Sequence, residues 1–265
     1  MNVLFVDMQC GAAGDMILAS LIDCGLPLDF LNDHFHYSPL SDVTLDIQSQ
    51  MRSGIACKHL DVTWKKQTAH RHLNDLVELL QKGPFSTNVK KRSERVLNAL
   101  AAAEARVHNI DTTDVHFHEI GALDTIVDIT GTCLTLEYFD ISQLYFSDLT
   151  IGKGTVGVAH GTMPVPVPAT AALIEGFQTR TLDIDTEILT PTGAALLTTL
   201  GQQVSSMPEG RLIKHGYGCG KKLFDNYPNL LRTMLVQQEQ STDHESDQVY
   251  VIESDMDHIS GEIMA

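Results

Sequence analysis

Positive charge is what this chain has least of. Its 18 lysines and arginines stand against 34 aspartates and glutamates, a formal net charge of -16 over 265 residues. That balance excludes a general nucleic-acid or anionic-membrane binder, since such surfaces are held by cationic side chains. An anionic small molecule then needs local help from histidines, lysines or backbone amides. Long apolar runs are also missing, so no segment reads as a membrane span. Met1-Asn2-Val3-Leu4-Phe5-Val6 has no basic residues and reaches Asp7 too soon for a secretory signal. Cys10, Cys24, Cys57, Cys133 and Cys219 are scattered without a C-x-x-C pair, a pattern of reduced thiols in a cytosol. There is no internal repeat. The expectation is a soluble cytoplasmic protein with no nucleic-acid and no membrane partner, long enough to bury a sizeable core.

What the chain does have is a set of strand-to-helix turns. Val3 to Asp7 reads as a buried strand, and Gly11-Ala12-Ala13-Gly14-Asp15 leads from it into a helix over Met16–Ile22. Such a turn can hold an anion on its amides, or can simply need small residues. Val43–Gln50 and Ile55–Trp64 predict a hairpin, and helices follow over Leu73–Leu80 and Ser86–His108. A further helix is predicted from Leu123 to about Phe139, then a strand over Leu144–Thr150. Prolines 164, 166 and 168 make a rigid extended crossing that is no central strand. Ala169–Glu175 reads as a short helix. Thr190 is an N-cap with Pro191 at the first helical position, followed by Thr192 and Gly193. Gly216-Tyr217-Gly218-Cys219-Gly220-Lys221-Lys222 reads as a third glycine-rich loop before a strand over Asn229–Val236. The fold class expected is α/β, a mixed sheet with flanking helices, plus the first strand of a truncated C-terminal domain. Its parts are residues 1–237, an acidic linker over 238–248, and an incomplete domain over 249–265.

The chemistry concentrates at Val115-His116-Phe117-His118-Glu119-Ile120-Gly121-Ala122-Leu123-Asp124-Thr125-Ile126-Val127-Asp128. In an extended chain His116 and His118 point to one face, and Asp124 and Asp128 lie one turn apart on the helix that follows. Imidazoles suit Zn, Ni, Cu and Fe. The same group can instead form an acid/base pair, with Glu119 fixing an imidazole tautomer. His70 and His72 form a second H-x-H pair, and His160 stands between glycine- and proline-rich stretches. Cys10 and Cys219 are soft ligands if exposed and small fillers if buried. A phosphorylated ligand handled together with a divalent metal is the inference these residues support.

Several segments together resemble the LarC family of nickel-insertion proteins: Gly11-Ala12-Ala13-Gly14-Asp15-Met16, Ala69-His70-Arg71-His72-Leu73, the stretch Val115 to Asp124, His160-Gly161-Thr162-Met163-Pro164-Val165-Pro166, Leu189-Thr190-Pro191-Thr192-Gly193-Ala194-Ala195, and Gly216 to Gly220. The resemblance implies insertion of Ni(II) into pyridinium-3,5-bisthiocarboxylic acid mononucleotide. In the family that cyclometallation depends on CTP with a divalent metal and makes the nickel-pincer cofactor of lactate racemase, the recipient. It implies His116, His118 and Glu119 as catalytic residues and His70, His72, His116 and His118 as nickel ligands. Gly11, Gly14, Asp15, Thr192, Gly193, Gly218 and Gly220 would bind the nucleotide. Forming C–Ni from C–H releases a proton, for which histidine is the expected base.

Two departures go with the resemblance. The family's first loop usually has serine or alanine where this chain has Cys10, so no metal role for Cys10 carries over. The family's chain also continues beyond residue 265, and CTP binding is placed in that later part. Glu253-Ser254-Asp255-Met256-Asp257 resembles the opening of the C-terminal domain. The expectation is the N-terminal portion of a two-part chelatase, inactive in CTP-dependent insertion without a C-terminal polypeptide. A metal-dependent hydrolase and a non-catalytic nickel-delivery protein are the rival readings, and self-association is left open.

Overall fold

The computed structural model describes residues 1–64, 72–115, 122–158 and 161–239. In chain order the elements are β1 (Asn2–Asp7), α1 (Gly14–Asp23), α2 (Leu28–His36), β2 (Val43–Arg52), β3 (Ile55–Trp64), α3 (Leu73–Lys82), α4 (Thr87–His108), α5 (Ala122–Tyr138), β4 (Ile141–Phe146), β5 (Leu149–Ile151), β6 (Thr155–Val158), β7 (Gly161–Pro164), α6 (Pro168–Leu173), β8 (Thr179–Thr181), α7 (Pro191–Leu200), β9 (Gly201–Gln203), β10 (Arg211–Cys219) and β11 (Leu230–Gln237).

Seven strands form one mixed sheet in the order β2-β3-β10-β11-β1-β4-β9, so the α/β class expected from the sequence holds. β1 lies inside it, antiparallel to β11 and parallel to β4. Its unbroken apolar run is what a strand covered on both faces requires. Leu4 and Val6 enter the main core beneath the helices, while Val3 and Phe5 join Met234 and Val236 on the opposite face. α4 is held at its start by the Ser86 hydroxyl, which accepts from the Val89 amide at 3.1 Å, and ends at Asn109 with φ 51°. Its buried residues Val89, Val96, Leu97 and Leu100 follow the periodicity seen in the sequence.

Two expectations change. The segment predicted as a third glycine loop is β10 as far as Cys219, paired along its length with β11. Its glycines admit α1: a Cβ on Gly218 would stand 1.9 Å from the Met16 carbonyl oxygen, and one on Gly216 would stand 2.3 Å from that of Ser20. Gly218 therefore serves helix packing within a strand. The strand predicted over Leu144–Thr150 is two. β4 follows β1 to the pair Val6 and Phe146, the Ser147 amide then donates to Val6, and the chain leaves the sheet so that β5 pairs β8. The proline-rich crossing stays outside the main sheet, as expected, with β7 in a hairpin with β6. α2, with Leu31 and Phe35 buried, is an element for which the sequence analysis made no case. Residues 240–265, which include most of the expected linker and the C-terminal start, lie outside the described residues.

The Gly218 contact predicts a measurable cost. Gly218→Ala should destabilise the chain by about 1–3 kcal/mol, the usual penalty of overpacking, because the opposing atom is backbone and cannot rotate away. Denaturant unfolding of the two chains reads it, and equal midpoints would contradict the packing argument.

Candidate functional site

The loop after β1 and the loop before α7 are stitched together. The Ala12 amide donates to Ile188 and the Thr190 amide donates to Ala12, both at 2.9 Å. Glycine makes this possible. Gly11 has φ +81° and would carry a Cβ 2.0 Å from the Ile188 carbonyl oxygen, while a Cβ on Gly193 would meet the Ala12 oxygen at 2.4 Å. The Thr190 hydroxyl accepts from the Gly193 amide at 3.2 Å, the N-cap predicted for α7. The N-termini of α1 and α7 thus stand side by side, with the first turns of α5 and α6 beside them, around a cavity of about 570 Å³. Helix N-termini are electropositive and favour anions.

Carboxylates nonetheless occupy much of the wall. Asp15 opens α1, Asp124 and Asp128 lie one turn apart on α5, and all three line the cavity. Asp15 Oδ1 accepts from the Met16 amide and Asp124 Oδ1 from the Thr125 amide, each at 2.8 Å. Asp128 packs over Gly14, where a Cβ would meet its Oδ2 at 2.4 Å. Its Oδ1 is buried without a hydrogen-bond partner. Burial first, then repulsion from Asp15 and Asp124, pushes the Asp128 carboxyl well above its ordinary 3.8. Burial also raises Asp15, against the Met16 amide, His59 and Lys221. It raises Asp124, where the Thr125 amide opposes and Asp15 reinforces. Glu104 and Glu187 also face the cavity. Glu187 accepts from the Thr170 hydroxyl at 3.1 Å at the start of α6, and His108 lies 3.6 Å from Glu104.

Among the described residues, one ammonium faces these acids. Lys221 lines the cavity and its Nζ lies 2.7 Å from Asp61 Oδ1. Asp61 Oδ2 is 3.4 Å from Nε2 of the buried His59. A carbonyl only accepts, so His59 Nδ1 carries the hydrogen that it donates to Cys219 O at 3.0 Å. The hydrogen bond from Lys221 holds Asp61 below its usual range, and Asp61 in turn raises Lys221 and keeps it charged.

The residues expected from the sequence divide accordingly. Gly14, Asp15 and Thr192 line the cavity, as do Asp124 and Asp128; Gly11 and Gly193 close the junction behind it. Gly218 and Gly220 pack near Met16 and are absent from the lining, to which their segment contributes Lys221 instead. His70, His116, His118, Glu119 and His160 lie outside the described residues. His72 is the N-cap of α3, its amide donating to Asp75 at 2.9 Å. Cys10 and Cys219 are fully buried fillers, Cys219 pushed up to about 12 by burial and by Cys57, and all five cysteines are free thiols. Among the described residues no group of three or more His, Cys, Asp or Glu is arranged to hold a metal ion, and no helix is long and apolar enough to cross a membrane.

Sequence reasoning missed Lys221, Asp61, His59, Glu104, His108 and Glu187. Glu104 and His108 carried a signal, an i,i+4 pair near the end of α4; Lys221 stood at the end of the expected third glycine-rich loop but was given no role.

The carboxylates set a pH dependence. A carboxyl whose folded pKa is raised binds its proton more tightly when folded, so its contribution is fully present below the unfolded value and lost as pH rises through the folded one. Stability should fall as pH rises from about 4 through the raised values of Asp15, Asp124 and Asp128. Asp128→Asn should flatten that fall. Unfolding free energies measured from acid to neutral pH check it, and an unchanged slope would count against the buried cluster.

Comparison with known proteins gives a consistent picture. The chain matches the family described as "Nickel insertion protein" over residues 4–265. It is 38% identical to a "Putative nickel insertion protein" of Geotalea uraniireducens, over 100% of this chain and 68% of that protein. It is 40% identical to one of Citrifermentans bemidjiense, over 99% and 68%. A "Pyridinium-3,5-bisthiocarboxylic acid mononucleotide nickel insertion protein" of Staphylococcus saprophyticus is 35% identical, over 99% and 66%. The chain thus spans about two thirds of the length of these curated relatives. No solved structure matches it. On the extent of these matches, the chain belongs to the nickel insertion protein family.

Proposed function

We propose that the cavity is where Ni(II) is inserted into pyridinium-3,5-bisthiocarboxylic acid mononucleotide, the substrate in the name of the Staphylococcus relatives. The observation that carries the reading is the pairing, in one cavity, of helix N-termini and a lysine with a wall of carboxylates. The amides and Lys221 suit the phosphate of a mononucleotide. The acidic wall draws a divalent cation. Soft thiocarboxylate sulfurs then favour a square-planar Ni(II) product.

His116 and His118 hold or pass on the nickel in this reading, Glu119 orients an imidazole, and His70 and His72 complete the path. Connectivity supports the first pair. The segment 116–121 runs directly into α5, whose first turns carry the lining residues Asp124 and Thr125. The product serves as the nickel-pincer cofactor of a lactate racemase, and the insertion, a lyase reaction, consumes CTP with a divalent metal. The CTP is assigned to a C-terminal portion, on this chain or a separate polypeptide, and no described residue is given to it. The protein works in the cytoplasm.

Two variants test the reading in the full chain, assayed alone and with the C-terminal portion of a longer relative. Lys221→Met should weaken mononucleotide binding about tenfold or more, the worth of one charge-assisted hydrogen bond, with Ni(II) binding retained. His116→Ala with His118→Ala should abolish stoichiometric Ni(II) binding measured by calorimetry. Nickel binding without any chemistry on the nucleotide, in every combination, would replace insertion by delivery.

A further inference from the structure

Forming a C–Ni bond at an aromatic carbon releases a proton, and the cavity wall offers an acceptor other than histidine. We propose that the Asp124 carboxylate takes the ring proton as the C–Ni bond forms, with Asp15 as the neighbouring charge that tunes it. This rests on the nickel-insertion reading. In the step, the electron pair of the C–H bond becomes the C–Ni bond and the proton goes to Asp124 Oδ2. Nickel remains Ni(II), so no oxidant or reductant is needed. A carboxylate suits the step, because Oδ1 is held by the Thr125 amide and Oδ2 is left to take the departing proton.

Geometry singles out Asp124 among the three acids. Asp128 is 7% exposed and its Oδ1 is enclosed, so it cannot meet a ring carbon. Asp15 is the more deeply buried of the other two and feels His59 as well as Lys221, whereas of these two Asp124 feels Lys221 alone. Asp124 spends one oxygen on the Thr125 amide, which fixes the carboxylate plane on a cavity wall. Asp128 Oδ1, buried beside it with no hydrogen-bond partner, is an unmatched polar atom at the cavity wall. An ordinary carboxylate is a weak base at neutral pH. Burial and Asp15 bring Asp124 closer to the working range. Asp15 is the carboxylate acting on it and Lys221 opposes Asp15; Asp128, which Asp124 itself raises, lies one turn on, Glu104, His108 and Glu187 face the same space, and His59 and Asp61 stand behind Lys221.

The experiment is single-turnover insertion of Ni(II) into the mononucleotide, followed over pH in the full chain with the C-terminal portion of a longer relative and CTP. Asp124→Asn should slow insertion at least about 100-fold while nickel and nucleotide binding stay within a few-fold. Formate should restore part of the rate to Asp124→Ala. Asp15→Asn removes a negative charge beside Asp124, which then binds its proton less tightly. The acid limb of the rate profile should move to lower pH, a shift that a purely structural Asp15 would not produce. Insertion by Asp124→Asn within threefold of the parent, or an acid limb unmoved by Asp15→Asn, overturns the assignment. No insertion by the parent chain under any condition removes the nickel-insertion reading, and this inference with it. Normal insertion by Asp124→Asn removes only the base.

Discussion

Backbone is packed directly against backbone along one side of this sheet, and the site depends on it. α1 lies on β10 because Gly216 and Gly218 carry no side chains, and the loop before α1 lies on the loop before α7 because Gly11 and Gly193 carry none. Side chains of even one carbon at these positions would move α1 or α7 outward. The cavity is the space left where these helices begin, so its width is set by the glycine contacts.

That placement creates an electrostatic conflict. Helix N-termini lower the pKa of nearby carboxyls, yet Asp15, Asp124 and Asp128 are all raised because burial outweighs the local amides. The Met16 and Thr125 amides each serve one carboxylate, and Asp128 Oδ1 has none. Folding therefore maintains a wall of buried carboxylates, opposed by Lys221, which Asp61 holds in place. A small anion meets amides and ammonium there, and a divalent cation relieves the repulsion among the acids.

How much of this was legible in the sequence follows from what each signal encodes. The Thr190–Pro191 cap, the long α4 and the β2–β3 hairpin were readable because their determinants are local. The segment Gly216 to Gly220 was misread as a loop because glycine in a strand and glycine in a turn look alike until the helix above is known. Asp124 and Asp128 were noticed as a helical pair, and Asp15 as part of a glycine turn. That they meet was not visible, because the contact joins α1 to α5 across more than a hundred residues and its only local trace is the missing side chain at Gly14. Lys221, at the end of that expected loop, had no assigned role for a related reason: a lysine there is ordinary until Asp61, far earlier in the chain, is found beside it.

His59 shows how far such dependence reaches. Its Nδ1 hydrogen is fixed by the Cys219 carbonyl, at the end of the strand on which α1 rests. Its Nε2 lies beside Asp61, and Asp61 bonds the lysine on the cavity rim. The glycine contacts that seat α1 on β10 therefore also set the carbonyl that orients His59. Cavity width and cation position are two consequences of one packing constraint, so a change in that packing moves the anion-binding edge and the acidic wall together.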